Sequence, residues 1–299
     1  MKILITGSAG RIGRAIYIKL MRSFDVVGLD KVPCSTADFV GDLRDKELIR
    51  EALNGVDVVI HAAALHAPHV GLFSDSDFQS INVDATEQLA LEAIKSGIKQ
   101  FIFTSTTALY GYASTPHGTA GWIDETTKPQ PKSIYHHTKI EAEGKLEQLS
   151  NLFNLPVTVL QISRCFPEPA DLMAVYRLTR GIDSRDVASA HLCAVQKRLR
   201  GFNRFIISGR TPFNSAHCQQ LYQAADHVLR THAPLLANRF EERGWPLPHC
   251  LDRVYDSSLA QSTLDWQPNH GVDSVLTLLD SELAEVLPVK PQPPLANKR

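Results

Sequence analysis

Along the first two thirds of the chain, short β-branched runs alternate with longer stretches in which apolar residues recur at intervals of three and four. Lys2–Thr6, Asp25–Asp30, Asp38–Gly41, Asp57–Ala62, Gln100–Ser105, Val157–Ile162 and Arg204–Ser208 read as strands. Several are apolar on both faces, as expected of parallel strands covered by helices above and below. Helices are predicted at Ile12–Arg22, Asp45–Leu53, Asp77–Ser96, Tyr135–Asn151 and Ser184–Lys197. In the third, Phe78, Ile81, Ala85, Leu89 and Ala93 make one buried stripe. This alternation predicts an α/β fold built on a doubly wound parallel sheet. After Arg210 the pattern weakens to helices near Ala216–Thr231 and Gly271–Val286, between loops holding Pro246, Pro248 and Pro268.

Composition narrows the function classes. The 299 residues are 43% hydrophobic and 21% charged, ample for a core. Lys plus Arg is 31 and Asp plus Glu is 32, a formal charge of −1 with no basic arm, which speaks against a nucleic-acid partner. The longest nearly apolar run, Val56–Leu65, falls far short of the ~20 residues that span a bilayer, so no membrane partner is expected. The opening Met1–Gly7 segment reads as a buried strand rather than a signal peptide. Five scattered cysteines (34, 165, 193, 218 and 250) without a Cys-x-x-Cys predict free thiols in a reducing, cytoplasmic setting. His61, His66 and His69 lack a compact ligand spacing, so no metal is expected.

The first strand runs into Thr6-Gly7-Ser8-Ala9-Gly10-Arg11-Ile12-Gly13 and then at once into an amphipathic helix. Gly7 would permit the tight turn, Gly10 would let backbone approach a pyrophosphate, and Gly13 would let helix and strand pack closely. The helix start, with Arg11 and Ile12, offers unpaired N–H groups and partial positive charge to phosphates. The second strand ends in Asp30, placed to accept hydrogen bonds from a ribose diol and to repel a 2′-phosphate. That combination predicts a Rossmann domain that binds NAD rather than NADP.

Tyr135 and Lys139 open a helix at i, i+4 spacing, so they share one face. A tyrosine is a poor acid–base group near neutrality, its ordinary pKa being ~10. A nearby ammonium and a positive nicotinamide would both favour phenolate and bring it toward the working range. Lys139 could also hold the nicotinamide ribose. Upstream, the strand Phe101-Ile102-Phe103 emerges into Thr104-Ser105-Thr106-Thr107, whose hydroxyls could orient a substrate oxygen.

In this order, over roughly Met1 to Val195, these segments resemble the extended short-chain dehydrogenase/reductase family, the NAD-dependent sugar epimerase/dehydratase group. The resemblance extends to Gly41-Asp42-Leu43, where the family contacts adenine, to His61-Ala62-Ala63-Ala64, which lines the cofactor, and to Asn82-Val83. It implies that Gly7, Gly10, Arg11, Ile12, Gly13, Asp30, Asp42, Leu43, Ala62, Ala63 and Asn82 bind the cofactor together with Tyr135 and Lys139. It implies Tyr135 as general acid/base, Lys139 as its partner and Thr106 as the hydroxyl that orients the oxygen. Leu264-Asp265-Trp266-Gln267-Pro268 is similar to the family's late Leu-Gly-Trp-x-Pro. A homodimer through the helices at Asp77–Ser96 and Tyr135–Asn151 follows from the same resemblance.

Departures from the family pattern shape the expected reaction. Thr107-Ala108 stands where the dehydratases carry an Asp-Glu pair, so dehydration is not expected. Only 21 residues separate Arg164 from Asp186, too few for the nucleotide-gripping insertion of the nucleotide-sugar enzymes. Cys165-Phe166-Pro167-Glu168-Pro169 resembles a segment of uronate dehydrogenases, although Met173 stands near where those carry an arginine. The expected substrate is small and sugar-like or otherwise polar, with Thr107, Arg164 and Arg177 as candidate contacts and Arg180 as a further arginine for an anionic group. The function expected is NAD-dependent hydride transfer at a hydroxyl or carbonyl carbon. The alternatives are an NAD-dependent sugar epimerase and a non-catalytic NAD-binding sensor or scaffold. The expected organisation is a Rossmann domain over residues 1–162 and about 183–210, and a small C-terminal substrate lobe over about 163–182 and 211–287. Residues 288–299 are expected to form an extended tail.

Overall fold

The computed structural model describes residues 1–290. Its first half runs β1 (Lys2–Thr6), α1 (Arg11–Leu20), β2 (Asp25–Asp30), β3 (Phe39–Val40), α2 (Lys46–Ala52), β4 (Val58–His61), α3 (Asp75–Gln79), α4 (Ala85–Lys95), β5 (Gln100–Thr106) and β6 (Gly121–Ile123). There follow α5 (Ile134–Phe153), β7 (Val157–Ile162), α6 (Ala170–Thr179), α7 (Ser184–Lys197) and β8 (Phe202–Ile207). The remainder holds α8 (Cys218–Gln223), α9 (Ala225–His232), α10 (Pro234–Glu242), β9 (Arg253–Tyr255), α11 (Ser258–Leu264) and α12 (Val272–Asp280).

Seven strands form one all-parallel sheet in the order β3-β2-β1-β4-β5-β7-β8. The chain winds outward from β1 in one direction and, after β3, crosses to β4 and winds outward in the other. The crevice between β1 and β4 is therefore the switch point at which such sheets bind ligands. Alternation along β1 sends Ile3 and Ile5 to one face, where α1, α7, Leu264 and Trp266 cover them. It sends Leu4 to the other face, under α2, α4 and α5. Both faces are thus dry, which explains strands that read as continuous apolar runs.

The lobe gathers α6, α8, α9, α10 and α12 around Leu221, Leu229, Leu236, Phe240 and Val275. A separate parallel pair, β6 with β9, joins it to the sheet. Ile123 and Tyr255 from that pair pack on Tyr110 and Ile206, while Trp122 reaches the lobe core. Residues of α11 and Trp266 belong to the sheet-face core rather than to the lobe core. The tail is held as far as it is described: Leu287 N donates to Glu168 O at 2.9 Å and Val289 packs on the lobe. The remainder of the expected extended tail, residues 291–299, lies outside the described residues.

Several predicted elements differ in the structure. The single helix expected over Asp77–Ser96 is α3 and α4 joined by a π-helical turn at Ser80–Asp84. Asn82, in that turn, accepts from Leu65 N at 2.8 Å and donates to Leu65 O at 2.9 Å, which ties the widened turn to the loop after β4. The helix expected over Ala216–Thr231 breaks at Ala224, whose φ of −151° and ψ of 56° are not helical. The helix expected to reach Val286 stops at Asp280. The elements β6, β9, α6 and α10 carried no clear periodicity; β6 and β9 have three residues each, too few to show one.

Local caps follow ordinary chemistry. Asp45 precedes α2 and accepts from Glu47 N at 3.0 Å and Leu48 N at 3.2 Å, satisfying two first-turn donors. Asp45→Ala is expected to cost about 1 kcal/mol. Urea unfolding checks this; a midpoint equal to that of the parent protein would show that α2 does not depend on the cap.

Candidate active site

A cavity of about 690 Å³ opens over the C-terminal ends of β1, β4, β5 and β7. Its near end is the glycine loop. Gly7 has a φ of +72°, and a Cβ on it would lie 2.7 Å from Ala63 N, so the turn against β4 excludes any side chain there. A Cβ on Gly13 would lie 2.0 Å from Gly7 O, which fixes how closely α1 approaches the loop. Gly10, in contrast, meets only Gly7 O at 3.2 Å and leaves its other side to the cavity. It is also the N-cap of α1 and brings no side chain to the first-turn N–H groups. Those donors, at the positive end of the helix and beside the cavity, suit a pyrophosphate.

The other expected cofactor residues close around the same space. Asp30 lies at the rim and accepts from Ala9 N and Val32 N, both at 2.9 Å, which aims its carboxylate next to the loop. Asp42 and Leu43 line the cavity beside it, and hydrogen bonding to Arg44 holds the Asp42 carboxyl down at about 2. Ala62 and Ala63 form the floor, small enough to admit a flat ring. Arg11 and Ile12 line it as well, and Arg11 reaches across to Cys165 O at 2.8 Å and to the Glu285 carboxylate. The uncapped helix start, the bare Gly10 and the rim carboxylate together fit NAD.

Asn82 is where the structure departs from the expectation. It is 1% exposed, lies outside the cavity lining, and spends its amide on Leu65 and on Thr138 Oγ1 at 3.2 Å. Its contacts tie the loop after β4 to α5.

The expected chemical groups converge at the far end of the space. Thr106 ends β5, Tyr135 and Lys139 lie on the first turns of α5, and all three line the cavity. Lys139 Nζ donates to Thr104 O at 2.8 Å and sits 3.8 Å from the centre of the Phe103 ring. Burial brings its amine down to about 7. Tyr135 packs with Leu65 and Phe78, and burial pushes its phenol up to about 12, a rise that Thr106 beside it opposes. The expected lowering concerns the complex with a charged nicotinamide. In the protein by itself desolvation outweighs the contact with Thr106.

Of the candidate substrate contacts, Thr107 and Arg164 line the cavity and Arg177 does not. Arg177 is 2% exposed and paired with Asp183 at 3.0 Å, inside the protein. The expectation for Arg177 is therefore corrected: its guanidinium is buried beside Asp183 and lies outside the cavity lining. Arg164 is half exposed and held by Glu168, four residues on. Arg180 and Arg253 also line the cavity, and both are paired with Asp252, at 3.1 and 2.7 Å. Ser163 lines it too, its hydroxyl buried and without a hydrogen-bond partner in the structure. Sequence reading missed Ser163 and Arg253 because neither stands in a spaced pattern. Met173 lies in the lobe core.

His61 is wholly buried between Thr6 Oγ1 at 2.6 Å and Thr86 Oγ1 at 2.8 Å, and burial holds it near 3. Among the described residues no cluster of three or more His, Cys, Asp or Glu could hold a metal. Among them, too, no helix is long and apolar enough to cross a membrane.

Comparison with known proteins adds to this geometry. A Haloferax volcanii NAD-dependent glucose-6-phosphate dehydrogenase is 30% identical over 159 residues, 47% of this chain and 60% of its own length. An Escherichia coli N-acetyl-α-D-glucosaminyl-diphospho-ditrans,octacis-undecaprenol 4-epimerase is 30% identical over 154 residues, 50% of this chain and 44% of its own. The chain thus spans about half of the length of these curated relatives. A Methylococcus capsulatus sterol demethylase protein B matches more widely, 26% identical over 79% of this chain and 77% of its own. Among solved structures, an Agrobacterium tumefaciens short-chain dehydrogenase/reductase superfamily protein with bound NAD superposes with a TM-score of 0.70 at 20% identity, covering 94% of this chain and 96% of the other. A Thermotoga maritima UDP-glucose 4-epimerase superposes with a TM-score of 0.69 at 21% identity, covering 94% and 99%. Residues 3–169 match the NAD dependent epimerase/dehydratase family, a stretch that holds the glycine loop, Asp30, Thr106, Tyr135 and Lys139. With more than half of its length inside that match, the chain belongs to this family, whose cofactor is NAD.

Proposed function

We propose that this protein is an NAD-dependent oxidoreductase acting on a hydroxyl or carbonyl carbon of a small sugar-like substrate. The observation that carries the reading is that Thr106, Tyr135 and Lys139 line one cavity with the bare glycine loop and Asp30. Bound NAD supplies a hydride acceptor in oxidation and a donor in reduction. Tyr135 takes the proton of the substrate hydroxyl at its Oη, and Thr106 orients that oxygen. Lys139, once protonated, adds its charge to that of the cofactor and offsets the burial that holds the phenol at about 12. Gly10, the α1 start and Asp30 hold the dinucleotide.

Beyond the reacting carbon the lining turns cationic, with Arg164, Arg180 and Arg253 and the unpartnered Ser163 hydroxyl. Glu168 and Asp252, their carboxylate partners, are absent from that lining. Arg164 is the most exposed of the three, and its guanidinium favours a carboxylate or phosphate on the substrate. Arg164→Ala is expected to raise KM for such a substrate roughly 10- to 100-fold with kcat little changed. An unchanged KM would remove Arg164 from substrate binding.

The test is NADH production at 340 nm with uronic acids, sugar phosphates, free aldoses and UDP-sugars offered separately. Turnover confined to acidic or phosphorylated sugars supports the reading; none with any of them overturns it. The relatives named as epimerases favour a second reading, in which hydride returns to the same carbon without net redox change. Protein that retains NAD through purification and interconverts sugars without producing NADH would establish it. The homodimer through the paired helices belongs to the same reading, and light scattering tests it.

A further inference from the structure

Behind Tyr135 and Lys139 lies a buried carboxylate that takes no part in the chemistry above. Glu143 follows Lys139 by one turn and Tyr135 by two, so the three share a face of α5. Its side chain is 5% exposed. It accepts from Ser105 Oγ at 2.5 Å, from Gln161 Nε2 at 3.0 and 3.1 Å, and from Arg204 Nε at 2.7 Å. The last three residues of β5 each meet this helix face. Thr104 takes Lys139 on its carbonyl, Ser105 takes Glu143, and the Thr106 hydroxyl stands beside Tyr135.

The charges around Lys139 single Glu143 out. On β5 it meets the Thr104 carbonyl and the Phe103 ring. His61, on β4, is kept neutral by burial, and so is His191, on α7, which reaches Thr104 Oγ1. Tyr135 on the same helix is held un-ionised. Glu143 is the anion that acts on the amine and opposes the effect of its burial, and Arg204 from β8 pairs with that carboxylate at 2.7 Å. A merely structural link between β5, β7 and α5 needs hydrogen bonds but no charge; a buried carboxylate is costly and calls for a reason.

We propose, resting on the reading of Lys139 as the partner of Tyr135, that Glu143 is a positioning residue whose fixed carboxylate is the counter-charge that keeps the Lys139 amine protonated under the cavity. Ser105, Gln161 and Arg204 hold that charge in place. The substrate meets Tyr135; Glu143 acts on it only through Lys139.

The experiment reads Lys139 directly, without turnover. The full chain is trace-labelled with acetic anhydride from pH 5 to 10, and mass spectrometry follows the rate at Lys139. In Glu143→Gln, which keeps the shape and removes the charge, the inflection is expected to move down by about one pH unit, with about tenfold faster labelling on its acid side. Ser105→Ala, which keeps the charge, is expected to leave the inflection near that of the parent. A Glu143→Gln curve superimposed on the parent overturns the proposal, as does a Ser105→Ala shift of equal size. Should the single change fail to fold, Glu143→Gln/Arg204→Gln leaves no unmatched guanidinium and carries the same expectation. An intact shift in a protein that turns over no sugar would count against the proposed function and not against this role.

Discussion

Tyr135→Phe is expected to lower kcat for hydride transfer roughly 1000-fold while changing NAD affinity little. The ring is a wall residue, packed with Leu65 and Phe78, and phenylalanine keeps those contacts. The hydroxyl is the group that faces Thr106, and the substitution removes only that. Bound NAD is expected to depend far more on the glycine loop and Asp30 than on this oxygen. Stopped-flow measurement of NADH formation with the best substrate, beside NAD titration by tryptophan fluorescence, separates the two effects. A variant within about tenfold of the parent would remove Tyr135 as acid/base, since positioned proton transfer is worth 10²–10⁴-fold. A variant unable to bind NAD would instead show that the ring shapes the cofactor space.

Lowering the pH from about 6.5 toward 4 is expected to destabilise the protein steeply, before most carboxylates titrate. His61 and His191 are both wholly buried, and burial holds them near 3 and 4 where an exposed histidine stands at 6.5. Below 6.5 the unfolded chain therefore binds protons that the folded chain refuses. Stability contributed by these neutral rings is present above 6.5 and falls with pH, by up to about 1.4 kcal/mol per pH unit for each ring. His191 Nδ1 donates to Val187 O at 2.8 Å and its Nε2 accepts from Thr104 Oγ1 at 2.9 Å, so a neutral ring satisfies both. Urea midpoints measured from pH 7.5 to 4.5 should fall throughout that range, and His191→Gln should roughly halve the slope. Midpoints flat across the range would mean that the rings admit protons without unfolding.

Much of the cofactor end was legible because its chemistry is local in sequence. A turn at Gly7, an open face at Gly10 and a close approach at Gly13 are backbone requirements that few other residues meet, and the structure shows all three constraints. The spacing of Tyr135 and Lys139 likewise translated into a shared face. What stayed hidden depends on partners far along the chain. Arg177 and Arg164 are alike in sequence; only the placement of Asp183 beside one and the cavity beside the other separates them. Asn82 reads as one more polar helix residue until the loop at Leu65 arrives to occupy its amide. The extra residue of the turn at Ser80–Asp84 leaves the apolar spacing unbroken, so no periodicity could disclose it. Glu143 carried one faint signal, its four-residue interval from Lys139, but a carboxylate on a helix normally faces water. The raised phenol of Tyr135 was unreadable because its cause, enclosure by Leu65 and Phe78, is a property of the assembled fold.

The placement of Trp266 limits how this chain can be taken apart. Its indole is 1% exposed on the sheet face under α1 and α7, and its Nε1 donates to Ser189 Oγ at 2.9 Å. A fragment ending after β8 would strip that plug away and leave an oily scar on the dinucleotide half, inviting self-association. Swapping lobes between relatives would meet the same obstacle, because the part that looks exchangeable returns to complete the half it leaves. Any chimera of this protein therefore needs its seams on both sides of residues 258–266, with that segment travelling with the sheet.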